Sequence, residues 1–390
     1  MFNKAVSGTL LVAGTTIGAG MLGIPLVTAR AGFIPAVAIT ILVWLFMLAT
    51  GLLFLEATLW MHRGANVLSM SRRFLGRSGR VAAGGTFLFL YYCLMVAYFA
   101  GGAPIFNQVF GLSNGWFGYL TYGLIFGGIV AVGVKLVDRI NYLLMTAMFV
   151  GYFALIGTGS AEVSMDRLSG GNAYEVIFAA PILFSSFGFH NVIPSLVNYF
   201  DRDVKVLRKS ILWGTFISLV VYLAWQWLVI GAVPLSAIEL ALVEGRPATA
   251  ALQTLTGNPW VMRLGQFFAF FAIVTSMLGV AFSMVDFLGD GLKDRWLGKQ
   301  RLLLCLLVFI PPLFLTAIDP KIFVMALGFA GGFGEAFLNG IIPVSLVWVG
   351  RYGRQMGGRE QVPGGRWMLG LLFVLSLVVA GFEIAFVLTT

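Results

Sequence analysis

Charge is scarce in this chain. Of 390 residues, 25 are Lys or Arg and 16 are Asp or Glu, together 11%, where a soluble domain carries roughly a quarter. No polar stretch is long enough to make a soluble domain of its own. Cysteine is scarcer still. Cys93 and Cys305 lie far apart in apolar runs, which excludes a disulfide framework and a cysteine-based metal cluster. Histidine occurs only as His62 and His190. There is no His-Glu-X-X-His and no Gly-X-Ser-X-Gly, and Asp290 lacks the Gly-X-Gly-Asp setting of an intramembrane aspartyl protease. Ser186 and His190 stand four apart, the one spacing that would suit an enzyme if their helix were unbroken. An enzyme reading is therefore disfavoured.

What is abundant is apolar sequence, 59% of the chain. Repeated apolar runs of about 20 residues suit helices crossing a hydrocarbon core of about 30 Å. The expected fold class is an all-α polytopic membrane protein forming a single transmembrane domain. About eleven spans are expected, near 4–29, 33–60, 81–110, 116–136, 139–159, 173–200, 208–233, 259–290, 301–318, 321–350 and 367–388. The first run is too long for a signal peptide and no polar mature region follows it, so it reads as a retained span. Placing the connections alternately on two sides leaves Arg30, Arg167, Arg246, Arg263 and Lys321 on one side and the other 20 of the 25 basic residues opposite. That bias puts the N-terminus in the cytoplasm and the C-terminus on the outer side. The net charge of +9 is then an orientation signal with some affinity for anionic lipid heads, not a nucleic-acid footprint.

Span 1 is irregular. Residues 14–25 read Gly-Thr-Thr-Ile-Gly-Ala-Gly-Met-Leu-Gly-Ile-Pro. Glycine weakens a helix interior and proline removes one of its hydrogen bonds. In hydrocarbon the freed backbone groups need other partners, so a broken helix persists where it lines a cavity or is buried in protein. Close helix packing through glycine is the alternative. The middle of span 6 favours the first, with packing left as the lesser alternative. Ser185-Ser186-Phe187-Gly188 matches Thr15-Thr16-Ile17-Gly18, and Pro194 follows as Pro25 does. A device that recurs five spans later is reversed through the membrane, the signature of an inverted repeat with paired discontinuous helices. The repeats are 4–159 and 173–350, with 367–388 as an extra helix. Span 10 is irregular too, with Gly328, Gly331, Gly332, Gly334, Glu335, Gly340 and Pro343. The segment 234–258 is the longest outer connection and a candidate cap.

A broken helix offers free N–H groups where its second half begins and free carbonyls where its first half ends. The first suit a carboxylate and the second an ammonium or another cation. Donors from Gly18, Ala19 and Gly20, and carbonyls near Phe184 and Ser185, fit the zwitterion of an α-amino acid. His190 lies at mid-membrane depth, where an ionisable group is a functional candidate by default. Its ordinary pKa near 6.5 suits proton exchange; the alternative is a neutral ring bonded to backbone freed by the break. Glu335 is a second candidate for titration or gating, and Glu56 is expected to pair with a nearby base. Thr275 and Ser276 either bond the broken span 1, or help ligate a cation, or bond back to their own helix. Tyr91, Tyr92 and Tyr98, with Phe187 and Phe189, are candidates for an aromatic wall.

With Gly-Thr-Thr-Ile-Gly-Ala-Gly-Met-Leu at 14–22 and Ser-Phe-Gly-Phe-His at 186–190 followed by Pro194-Ser195, the chain resembles the bacterial hydroxy/aromatic amino acid permease family. Tyr199, Asp201, Leu207-Arg208, residues 275–281, Pro311-Pro312 and residues 323–328 extend the resemblance over nearly the whole chain. Within the family it looks most like the tyrosine-specific permeases. The resemblance implies an importer of tyrosine or a related aromatic amino acid in the bacterial inner membrane, working by alternating access. It also implies the five-plus-five fold of the amino acid/polyamine/organocation superfamily. Thr16, Ile17, Gly18, Ala19, Gly20 and Met21, with Phe184, Ser185, Ser186, Phe187, Gly188, Phe189 and Tyr92, form the expected substrate set. His190 and Glu335 are the proton-coupling candidates. No cofactor, firm metal site or obligate protein partner is expected. The coupling ion is a proton, with sodium as the alternative: span 5 has no lysine, and Thr275/Ser276 resemble the hydroxyl pair of sodium carriers.

Overall fold

The computed structural model describes residues 4–112, 115–254, 259–291, 299–357 and 360–389, and every regular element among them is a helix. Among the described residues nine helices are long and apolar enough to cross a membrane. A tenth crossing is the pair Lys4–Thr16 and Ala19–Ala31, bent by 44°. The expected span 4 is Trp116–Val132, apolar but only 17 residues long. The connection carrying Lys293 and Arg295 lies outside the described residues.

Boundaries follow local chemistry. Span 3 starts earlier than its apolar run. It is a 44-residue helix, Val67–Phe110, bent at Gly76, whose φ of 78° only glycine adopts readily. Its start is a capping box in which Asn66 Oδ1 accepts from the Ser69 N–H at 3.0 Å and Ser69 Oγ accepts from the Asn66 N–H at 2.9 Å. Asp203 caps span 7, Val204–Ala232, by accepting from the N–H groups of Lys205 and Val206.

Both sequence-flagged breaks are present. Span 1 runs as an α-helix over Lys4–Thr16, opens at residues 17–18, tightens into a 3₁₀ turn over Ala19–Gly23, and resumes as Ile24–Thr28. Span 6 runs over Ala180–Ser186, opens at residues 187–189, makes a 3₁₀ turn over His190–Val192, and resumes as Ile193–Tyr199. Pro25 and Pro194 do not kink these helices. Each sits at the start of the resumed half, where a missing N–H removes no internal bond. The irregularity of span 10 is a π-helix, Ala330–Ile341, between the α-turns Phe323–Phe329 and Ile342–Trp348. Wide π-turns are rare and often mark functional sites.

The two ends of the bundle differ. At the end rich in basic residues, Arg351 of span 10 forks onto Glu56 of span 2, with Nε–Oε1 and Nη2–Oε2 distances of 2.7 Å. Glu56 is fully buried and also accepts from the Gln361 N–H at 2.8 Å. Such a pair is tolerated because its hydrogen bonds are complete. Arg202 donates to the carbonyls of Thr58, Leu59 and Met61, closing the C-terminus of span 2. At the far end, segment 234–258 forms the helix Leu235–Val243 and the 3₁₀ turn Ala248–Thr254. Arg30 reaches it through Glu239 Oε1 at 2.8 Å, with Glu175 at 3.8 Å. Gly32, at φ 86°, lies so close to the backbone of Gly170 and Gly171 that no side chain fits between them.

Candidate functional site

The breaks of spans 1 and 6 touch. A Cβ added to Gly20 would lie 2.9 Å from Ser186 Cα. The approach is possible only because Gly20 has no side chain. Around this point is a cavity of about 570 Å³, within the ordinary range for small-molecule sites. It runs past Gly64, Asn66 and Asn198 at the basic end. Apolar walls come from Phe54, Phe87, Leu90 and Leu94, and polar ones from Asn141, Asn191, Glu335 and Asn339.

Three side chains satisfy the backbone that the breaks release. Ser276 Oγ accepts the Ala19 N–H at 3.0 Å and donates to Ala272 O at 2.9 Å. Trp225 Nε1 donates to Met21 O at 3.0 Å. The Tyr222 hydroxyl lies 2.7 Å from both Thr16 O and Ser186 O, the last carbonyls of the two first-half helices. One buried phenol proton thus serves both breaks at once. Sequence reasoning missed Tyr222 and Trp225. Their only signal was a pair of aromatics three apart, one turn of one face, in a span following the second break.

The expected substrate residues divide. Thr16, Gly18, Ala19, Gly20, Ser185, Ser186 and Gly188 line the cavity. The hydroxyls of Thr16, Ser185 and Ser186 donate back to their own helices, to Val12 O, Ile182 O and Ile182 O at 2.8, 2.8 and 2.7 Å. Ile17, Met21, Phe184, Phe187 and Phe189 are buried behind the wall. Phe184 packs on Phe46 with ring centroids 4.8 Å apart, Phe187 packs edge-on to Tyr222 at 4.8 Å, and Phe189 fills the space over Gly51. Tyr92 is on another face of span 3, its hydroxyl donating to Leu307 O at 2.9 Å. The tyrosines that reach the cavity are Tyr91 and Tyr98, with Asn191 and Ser276 in hydrogen-bonding reach of their hydroxyls.

His190 is buried and lines the cavity. Its Nε2 is 3.0 Å from Thr50 Oγ1. The Thr50 hydroxyl has its own acceptors in Phe46 O and Met47 O, each at 3.2 Å, so it accepts from His190. That places the ring proton on Nε2 and leaves Nδ1 a bare acceptor, buried and without a hydrogen-bond partner among the described residues. Glu335, on the π-helix, presses its carboxylate against the backbone of Gly188 and accepts from Asn339 Nδ2. No Lys, Arg or His side chain pairs with it among the described residues. Thr275 donates to Ala272 O at 3.1 Å. Of the hydroxyl pair, Ser276 thus binds the broken span 1 and also bonds back to its own helix, and Thr275 bonds back to its own helix.

The arrangement speaks against intramembrane hydrolysis. Ser186 and His190 are separated by the break rather than aligned on one helix face, and the Ser186 hydroxyl is engaged with Ile182 O and His190 Nε2 with Thr50. Among the described residues no group of three His, Cys, Asp or Glu comes together as a metal site.

Comparison with known proteins gives the family and the fold. The Tryptophan/tyrosine permease family matches residues 1–383. The chain is 33% identical to the tyrosine-specific transport system 1 of Haemophilus influenzae, covering 98% of this chain and 97% of that protein. It is 32% identical to the tryptophan-specific transport protein of the same organism, covering 96% and 94%. Among solved structures, the manganese transporter of Eremococcus coleocola superposes with a TM-score of 0.61 at 14% identity, over 98% of this chain and 85% of that one. At that identity the likeness speaks for the fold alone.

Proposed function

The chain belongs to the tryptophan/tyrosine permease family, and on that premise we propose that it imports tyrosine or a related aromatic amino acid by proton symport through alternating access. The observation that carries this reading is the meeting of two broken spans, at Gly20 and Ser186, on one cavity. The turn that begins at Ala19 has its first N–H on Ser276 and offers the N–H groups that follow to a carboxylate. The carbonyls that end the preceding half-helices, gathered at Tyr222, supply the counterpart for an ammonium. The aromatic and aliphatic wall between Phe54 and Tyr98 receives the ring. We take the two breaks as the related centres of an inverted repeat, 4–159 and 173–350.

Direction follows from charge. With the basic end in the cytoplasm, the cavity opens inward and the far end, closed at Arg30–Glu239 and Gly32–Gly170, is external. The conformation is then the one that releases imported substrate. On this reading the membrane is the bacterial inner membrane, and the C-terminus is periplasmic. Proton rather than sodium coupling is supported by two features. Ser276, the best cation-site candidate, already accepts from Ala19 and donates to Ala272. His190 and Glu335, by contrast, line the cavity without a charged partner among the described residues.

The test is uptake into proteoliposomes of tyrosine, tryptophan, phenylalanine and a non-aromatic control under separate proton and sodium gradients. Saturable, counterflow-competent uptake of an aromatic amino acid, accumulated by an inside-alkaline gradient, is expected. Accumulation driven by sodium alone would overturn the coupling; no saturable uptake of any aromatic substrate would overturn the whole reading.

A further inference from the structure

The last helix, Gly365–Thr389, carries an acid that the site above does not use. Leu369, Leu372, Ser376, Val379 and Glu383 are its buried stripe, while Trp367, Leu371, Val374 and Leu377 face outward. The stripe lies along the glycines of span 10. A Cβ added to Gly340 would meet the side chain of Ser376; one added to Gly332 would lie 2.5 Å from Glu383 Cβ, and one added to Gly328 2.5 Å from Glu383 Oε1. Gly328 and Gly332, four apart, thus make a groove whose depth is filled by this carboxyl group.

Nothing in the groove compensates a negative charge. Glu383 is 2% exposed and makes no hydrogen bond or ion pair among the described residues. The elements packed on this helix are Ala173–Ala179, Ala180–Ser186, Ala330–Ile341 and Ile342–Trp348. None of them carries a Lys, Arg or His. Their titratable groups are Tyr174, Glu175, which is held by Arg30, and Glu335, which faces Gly188 on the cavity side. Span 3 adds Cys93, within electrostatic reach. A carboxylate unpaired in such a place is stable only with its proton on. Ionisation therefore requires the helix to draw away from span 10, or span 10 to shift. Span 10 is π-helical at this point, and Glu335 stands three residues after Gly332 on the same wide turn.

We propose that Glu383 is a second proton-binding site, outside the substrate cavity, whose charge state is communicated to the cavity through the π-helix that separates it from Glu335. The step is a reversible protonation: the carboxylate takes one proton from water on one side, and gives it up to the other side when the last helix and span 10 part. This rests on the proton-symport reading and adds to it a site that no substrate touches.

The full-length protein in phosphatidylethanolamine/phosphatidylglycerol vesicles tests it. Each coupled proton multiplies the accumulation ratio about tenfold per unit of pH gradient. Glu383→Gln, which keeps the shape of the neutral acid, is expected to retain counterflow and to lose that factor. Wild-type accumulation in Glu383→Gln overturns the proposal. Should the variant fail to exchange substrate at all, the wild type decides through carbodiimide modification mapped by mass spectrometry. Labelling of Glu383 that declines as pH rises and changes with substrate supports the site; labelling that is absent or indifferent to pH overturns it. A wild type that exchanges substrate but accumulates none under a proton gradient sinks proton symport itself, and the coupling role of Glu383 with it. That result is distinct from the variant's, because it appears without any mutation.

Discussion

The two breaks look alike in sequence and differ in what holds them. The break in span 1 is held by groups that stay neutral near physiological pH: Ser276 on the Ala19 N–H, Trp225 on Met21 O, Tyr222 on Thr16 O. The break in span 6 shares Tyr222 through Ser186 O, but its other neighbours are side chains able to carry a charge. Glu335 lies against Gly188, and His190, two residues on, is tethered by Thr50. The contrast separates two tasks. A site of constant charge can hold a zwitterion in every state of the cycle. A site whose charge can change suits the coupling ion. On the proposed symport reading, span 1 would be the holding side and span 6 the coupling side, and each prediction below tests that division.

The largest effect is expected where the two sides meet. Gly20→Val would drive a branched side chain into Ser186, whose Cα is already at 2.9 Å from the first added carbon. Overpacking of this kind costs about 1–3 kcal/mol, and here it separates both halves of the site. Uptake and counterflow should both fall by roughly 100-fold at unchanged membrane abundance, measured with labelled substrate and quantitative blotting. Wild-type transport in this variant would mean that the contact is not the site.

The next effect should be confined to the coupling side. His190→Gln can still donate an N–H to Thr50, but it has no nitrogen that takes a proton at physiological pH. Accumulation under a pH gradient should drop about tenfold per pH unit, whereas counterflow, which needs no net proton movement, should stay within about threefold of wild type. Equal loss of both would make His190 a packing residue and dissolve the distinction between the breaks. Unchanged accumulation would pass the proton to Glu335.

How far the sequence speaks depends on what kind of residue carries the information. The breaks were legible because glycine and proline inside an apolar run contradict a simple crossing helix, and Pro25 and Pro194 mark the restart of each half-helix. The orientation is an expectation that rests on Lys and Arg being few and one-sided. The supports were not legible. Tyr222 and Trp225 are aromatics in a chain that is 14% aromatic, and nothing local distinguishes a phenol that bridges two carbonyls from one that packs. Tyr91 and Tyr92 are neighbours on one helix, about 100° apart. Only the phase of that 44-residue helix decides that Tyr91 faces the cavity and Tyr92 faces Leu307. The glycines of span 10 announced irregularity, but a kink and a π-turn draw on the same residues. Glu383 passed unnoticed because a single acid near a chain end reads as solvated until the helix is packed against its groove.

The smallest effect should mark the holding side. Ser276→Ala removes the acceptor of the Ala19 N–H and the contact with the Tyr98 hydroxyl, while its own donated bond ends on Ala272 within the same helix. A net loss of about 1 kcal/mol is typical for one such bond, which corresponds to a rise of roughly fivefold in KM. On the proton-symport reading that rise should be the same at every pH and in the presence or absence of sodium, because no charge is added or removed. If the cost instead grows as sodium is withdrawn, or vanishes in its absence, the hydroxyl belongs to a cation site and the charge-changing role moves to span 1. If the pH profile shifts, the neutral side is neutral in the resting structure alone, and the division of labour between the breaks has to be drawn along the cycle rather than between the helices.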